Sequence, residues 1–413
     1  MFICIPAAID KNSDKHESLF RNASNMKIES SISLQALVFC LVGAGFTSIY
    51  ITQPVLPILQ MEFGVDETIA SLSISAVIFG IALSNLPLGI VADRYPVRPI
   101  IMVGSSVVIV CGLLCAVTDS IVLLIIARFF QGLSIPSLTT CLAAYLSRNA
   151  PKERLNVVIG SYVSATVAGG LIGRLLGGWI HSLLHWRYAF VSSTVILLAA
   201  TIAASRFLPP EKEDIKTETE SIGIIALMAQ KNLLCIYLVA FAAFFVFSSI
   251  FNYLPFYLSG PSFQASTEII TLMYLSYIIG IIVGPLAGKL SNRAGNGVTI
   301  VLGAVVFGIS IGITLIKSML AIVVSLIGIC AGFFAIHASA AGSLNRKLTS
   351  SRGRANSLYV LFYYLGGFVG ITISGHVYIF TGWPGVAALG CAVLLITFII
   401  GIGEIIKERV SRK

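Results

Sequence analysis

Charge is what this sequence has least of. Lysine, arginine, aspartate and glutamate together make up 11% of its 413 residues, against 57% hydrophobic residues, and the mean hydropathy is +0.94. Soluble domains carry about 25% charged residues, so this chain cannot clothe a water-facing surface with polar groups. The 18 acidic residues avoid the middle of every apolar run; Glu62, Glu268 and Glu404 stand only at run ends. The eight cysteines are scattered with no C-x-x-C pair or Cys/His cluster, which excludes a metal or disulfide framework and leaves them as small packing residues. P-loop, H-E-x-x-H and nucleophile-elbow patterns are missing too. ATP drive and hydrolysis therefore lack support, and neither an enzyme nor a cofactor is implied. The sequence pI of about 9.2 does not mark a nucleic-acid binder, because the basic residues are dispersed among short loops.

What the chain has is apolar runs. They fall at 33–58, 70–92, 99–118, 121–146, 156–180, 187–207, 233–258, 268–290, 298–316, 318–342, 355–380 and 383–405. Backbone polar groups in lipid must be satisfied within the segment, so runs of about 20 residues read as spanning helices. The ninth and tenth are parted only by Lys317. The expected organisation is a disordered tail over 1–31, a six-helix bundle over 32–207, a linker over 208–232, a second bundle over 233–406 and a tail over 407–413. Of the 27 lysines and arginines, 23 fall on one side if the spans alternate; the other side holds Arg187 and Lys317, and Arg128 and Arg174 lie inside spans. That bias places both termini in the cytoplasm of a multi-pass membrane protein.

The halves repeat. Gly89…Asp93-Arg94 after the second run matches Gly288…Asn292-Arg293 after the eighth, at an offset of 199. Gln131-Gly132 faces Ala331-Gly332 at an offset of 200, and Gly169, Gly170, Gly173, Gly178 and Trp186 map onto Gly366, Gly367, Gly370, Gly375 and Trp383 at 197. Parallel six-span repeats place a substrate path at their interface near mid-membrane.

Several residues are candidates for function. In the loop Gly89 to Arg98, glycine allows close approach, while Asp93, Arg94 and Arg98 can cap a helix or hold its neighbours. Loop charge explains the arginines but not Asp93 together with Gly89, so this loop and Gly288, Asn292 and Arg293 are expected to gate. Arg128 in the fourth run costs roughly 2.5–3.5 kcal/mol at mid-membrane and needs a cavity or a partner. Arg174 in the fifth run stands among Gly169, Gly173, Gly177 and Gly178, which suit close helix packing; snorkelling is its alternative. His337 carries an imidazole, a group whose ordinary titration range is near neutrality, and is a proton-exchange candidate as much as a satisfied core histidine. Tyr50 and Gln53 in the first run, Asn252 and Tyr253 in the seventh, and Tyr363 and Tyr364 in the eleventh can line a cavity or belong to interfacial aromatic belts.

These motifs together resemble the major facilitator superfamily over roughly 33–405. The Gly89…Asp93-Arg94…Arg98 loop is similar to its signature between helices two and three, with Pro96 where the pattern has glycine. Arg128…Gln131-Gly132 resembles the fourth-helix motif of drug:proton antiporters, and Gly160…Gly169…Gly173…Gly177-Gly178 the fifth-helix antiporter motif, with Arg174 replacing a proline. The Gly-Arg pair, Tyr50-x-x-Gln53-Pro54 and Tyr363-Tyr364-Leu365-Gly366 look like an arabinose-efflux-like branch of inner-membrane permeases. The resemblance implies an all-α fold of twelve helices in two pseudo-symmetric six-helix bundles, exporting small molecules against proton entry. It implies proton coupling at Arg128 and a closing latch at Asp93 and Arg94. A cavity between halves of one chain makes a monomer the expectation. Proton symport of a sugar or organic acid, and a receptor that does not transport, are the alternatives.

Overall fold

Lipid leaves an apolar run no choice but to satisfy its own hydrogen bonds, and the runs are accordingly helices. The computed structural model describes residues 35–149, 155–208, 223–348 and 352–411. The expected tail over 1–31, most of the linker and the side chain of Asp93 lie outside the described residues. Twelve long helices follow one another: α1 Gln35–Phe63, α2 Glu67–Arg94, α3 Val97–Val117, α4 Ile121–Leu138 continued by Thr140–Asn149, α5 Leu155–Leu183 and α6 Trp186–Phe207. The second half has α7 Lys231–Ser259, α8 Thr267–Ala294, α9 Asn296–Ile313 and α10 Met319–Lys347. A final stretch, Arg352–Ser411, is broken at Gly382 into α11 and α12. No strand occurs among the described residues.

Local signals set the ends. Asp66 accepts from the Ile69 amide at 2.8 Å and starts α2. Gly64 ends α1 at φ 62°, and Gly382 turns between α11 and α12 at φ 65°, a left-handed backbone that favours glycine. The boundary marked only by Lys317 is a turn over 314–318. Two boundaries differ from expectation. A short helix, Ile224–Ala229, occupies the end of the expected linker, and α12 runs to Ser411 rather than stopping near 406. Lys407 donates to Asn232 at 2.8 Å there, so the helix remains packed as it leaves the apolar run.

The outer helices expose apolar stripes. Val103, Val110, Leu113 and Val117 do so on α3, and Leu395, Ile399, Ile402, Ile406 and Val410 on α12. Spacing by three and four residues puts each set on one helix face, and faces this apolar belong in hydrocarbon.

Inside, the two halves are built alike. On α5, a Cβ at Gly169, Gly173 or Gly177 would fall on the main-chain oxygen of Gly43, Thr47 or Ile51 of α1. On α11, Gly366 and Gly370 meet the oxygens of Phe241 and Phe245 of α7 in the same way. Each half thus seats its fifth helix directly on the backbone of its first. The halves also lock reciprocally: Gly178 of α5 takes Thr271 of α8, and Gly375 of α11 takes Thr68 of α2. Phe79 of α2 stacks on Phe368 of α11 at 4.4 Å.

Candidate functional site: an arginine between the halves

The site begins with a broken helix. Pro54 has no amide proton, so α1 loosens at Tyr50 and passes through a tight 3-10 turn, Gln53–Val55. The Gln53 amide bonds back to Tyr50 at 3.1 Å. This turn frees the carbonyls of Ser48 and Ile49, and Arg128 of α4 takes both, Ser48 at 2.6 Å. Its remaining bonds go to the Ser73 oxygen at 2.8 Å and Gln131 at 2.8 Å. Gln131 is itself held on the Val108 oxygen at 3.1 Å. Arg128 is fully buried and closes the C-terminal end of a half-helix, where a cation is favoured. It does not line the cavity.

Arg174 of α5 does. Its Nε donates to Gln53 at 2.7 Å, Nη1 to the Gly170 oxygen at 2.7 Å, and Nη2 to the Tyr277 hydroxyl at 3.0 Å. The rings of Tyr50 and Tyr277 cover its guanidinium, with centroids 3.9 and 4.2 Å away. Such cation–π contacts are worth about 2 kcal/mol when desolvated. Tyr277 ends a 3-10 turn in α8, Tyr274–Tyr277. Three-residue periodicity aligns positions i and i+3, so Tyr274 also faces the arginine, at 5.5 Å. The repeat puts Ile371 where the first half has Arg174, and both line the cavity. The charge is therefore on one side only.

The cavity measures about 90 Å³ and lies between the halves. The first half supplies Tyr50, Gln53 and Arg174, and the second supplies an aromatic wall. In that wall Phe247 stacks on Phe333 and Phe244 on Tyr363, each pair at 3.8 Å. His337 stands one layer behind: its Nδ1 meets the Tyr359 hydroxyl at 2.9 Å, and its ring lies 6.0 Å from Phe333 and 5.2 Å from Tyr363. Tyr364 packs at a right angle to Tyr363, 5.2 Å away.

Other expected residues lie elsewhere. Asn252 is buried and donates to Ser71 at 2.7 Å, tying α7 to α2. Tyr253 bonds the Ile371 oxygen at 2.9 Å and stacks on Tyr378. Both join helices and neither lines the cavity. In the first loop expected to gate, Gly89 faces Thr140 of α4 and Ser357 of α11, Arg98 holds the Ser205 oxygen of α6, and Arg94 is exposed. In the second, Arg346 donates to Asn292 at 3.4 Å and Asn296 at 3.0 Å; Arg293 is exposed, and Gly288 faces open space. Of the aromatic wall only Tyr363 is among the residues the sequence points to; Phe244, Phe247, Phe333 and Tyr277 are not. The density of phenylalanine at 241, 244, 245, 247 and 251 is the one signal for the part of the wall on α7.

The fold has known counterparts. A bacterial homolog of the human lysosomal transporter Spinster, in an inward-facing and occupied conformation, superposes with a TM-score of 0.73 at 14% identity, covering 91% of this chain and 96% of that one. The uncharacterized MFS-type transporter YybF of Bacillus subtilis is 27% identical over 87% of this chain and 91% of its own length. Inner membrane transport protein YnfM of Escherichia coli is 27% identical over 87% of each chain. A multidrug resistance protein B homolog of Mycobacterium tuberculosis is 29% identical over 40% of this chain and 31% of its own. The family model of the Major Facilitator Superfamily matches residues 38–347 and 262–410. With that match, its twelve helices in two like halves and a cavity between them, the chain belongs to the Major Facilitator Superfamily, whose members are membrane transporters and not enzymes.

Proposed function

We propose that the protein is a proton-coupled exporter of small molecules. In this reading it works by alternating access as a monomer in the inner membrane, with both termini cytoplasmic. The observation that carries the reading is Arg174, one buried cation held by both halves at the wall of a cavity between them. A ligand paired with this cation weakens its pull on Gln53 and Tyr277, so binding loosens the joint on which the halves turn. The Gly178–Thr271 and Gly375–Thr68 contacts join the halves at one end, and rocking in this reading separates them. The excess of basic residues in alternate loops supports this orientation.

His337 is the proton-exchanging group in this reading, because it sits against Phe333 and Tyr363 and can pass a change of charge to the cavity wall. Arg128 is a fixed charge that holds the broken first helix. The antiporter-like glycine spacing of α5 and the multidrug resistance relative favour export. The test is proton flux from liposomes holding the purified protein and a pH-sensitive dye, with organic anions, sugars and cationic dyes offered in turn. Substrate-dependent proton movement that disappears in His337→Ala is the expected result. Substrate movement with no proton movement would discard the coupling and keep the carrier.

A further inference from the structure

We infer that the cavity at Arg174 takes small organic monoanions in which a single carboxylate is joined to a flat apolar body, such as aromatic monocarboxylates. This deepens the transport reading and rests on it for the site's role. Its first support is an unbalanced charge. Arg174 is buried and pairs with no acid among the described residues, where ion pairs lie at Glu62, Asp119 and Glu404. No acidic residue lines the cavity. Tyrosine rings, a glutamine and a carbonyl solvate the guanidinium without neutralising it, and this leaves the counter-ion to the ligand.

The second support is the donor count. A guanidinium has five N–H bonds, and three are directed at Gln53, Gly170 and Tyr277. One remains on each terminal nitrogen, and these are the donors left for a carboxylate. Third, the opposite wall is aromatic. The stacked pairs Phe247–Phe333 and Phe244–Tyr363 give flat apolar surfaces, which suit a planar body.

Competing ligand classes fit less well. A cation meets a like charge. A neutral body leaves Arg174 without a counter-ion. A dianion requires a second base, and Arg174 is the only lysine or arginine among the lining residues. A hydrated inorganic anion would exchange its water for ring faces. The free space is about 90 Å³, so single-ring acids are favoured over larger ones.

The experiment is equilibrium binding of radiolabelled benzoate to the purified full-length protein, with unlabelled competitors, followed by flux in liposomes. Benzoate and phenylacetate should compete at least tenfold better than the neutral isostere benzamide, and better than phosphate or tetraphenylphosphonium. Arg174→Gln should weaken benzoate at least tenfold, and Arg174→Lys should recover part of the loss. Should Arg174→Gln fail to fold, the benzoate-to-benzamide ratio on the unaltered protein decides alone. Equal competition by benzamide, or binding of phosphate or tetraphenylphosphonium without benzoate, overturns the inference. Tetraphenylphosphonium carried into liposomes without benzoate binding would refute the ligand class and keep the carrier. Benzoate bound but never moved would keep the class and refute the carrier.

Discussion

Arg174 of α5 donates a 3.0 Å hydrogen bond to the hydroxyl of Tyr277 on α8, so one polar contact joins the two halves beside the cavity. A hydrogen bond to a charged group contributes about 1.5–3 kcal/mol. That is enough to shift a two-state balance by about ten- to a hundredfold. Tyr277→Phe keeps the ring over the guanidinium and removes this bond. Cys330, buried on α10 beside Ser276 of the same turn, should then react faster with a small maleimide as the halves part more often. Unchanged labelling would show that the bond does not hold the closed state.

Arg128 should act on stability before it acts on transport. Arg128→Ala strips the Ser48 and Ile49 carbonyls of their donor in a buried place, at about 1–3 kcal/mol for each group left unpaired. A clear drop in thermal unfolding temperature in detergent is expected. Arg128→Lys should rescue little, since one ammonium is a point donor and cannot span four acceptors on three helices. An alanine variant as stable as the unaltered protein would remove this role.

The glycines of the repeat should fall into two classes. Gly173→Ala and Gly370→Ala drive a methyl group onto the Thr47 and Phe245 oxygens, and overpacking costs about 1–3 kcal/mol. Both should lower the unfolding temperature by similar amounts, because the halves use the same joint. Gly284→Ala and Gly288→Ala meet open space and should be neutral or slightly stabilising. If Gly288→Ala folds normally and stops transport, the gating expectation for its loop gains direct support.

Glu404 is nearly buried and bonds Lys347 at 2.5 Å and Lys407 at 3.4 Å. Glu404→Gln leaves two lysines facing a neutral amide at the end of α10. Both lysines are partly exposed, so water screens them, and the expected loss is about 1 kcal/mol. A double variant, Lys347→Met with Glu404→Gln, should recover stability relative to Glu404→Gln alone. Additive losses would show that the pair does not interact.

Much of this architecture was legible residue by residue. The runs from 33–58 to 383–405 are helices, because length and apolarity are what a bilayer demands of a spanning segment. The offset of 197 between Gly169 and Gly366 reappears as two identical joints, since only glycine admits such backbone contact. Tyr50, Gln53 and Arg174 stood out as polar groups in apolar runs, and they converge at the cavity. Phe247 and Phe333 did not stand out. A phenylalanine facing a ligand and one facing lipid are alike in sequence.

By itself the sequence determined which segments cross the membrane, that the chain is doubled, and where its few buried charges sit. Those properties follow from hydropathy and spacing along one dimension. Only the tertiary structure separated Arg128 from Arg174. Both carry the same charge and the same insertion cost, and both must find partners. Pro54 breaks α1 and leaves carbonyls within reach of Arg128, whereas Arg174 points across the interface at Tyr277. Which partners a buried arginine finds depends on how the helices around it pack.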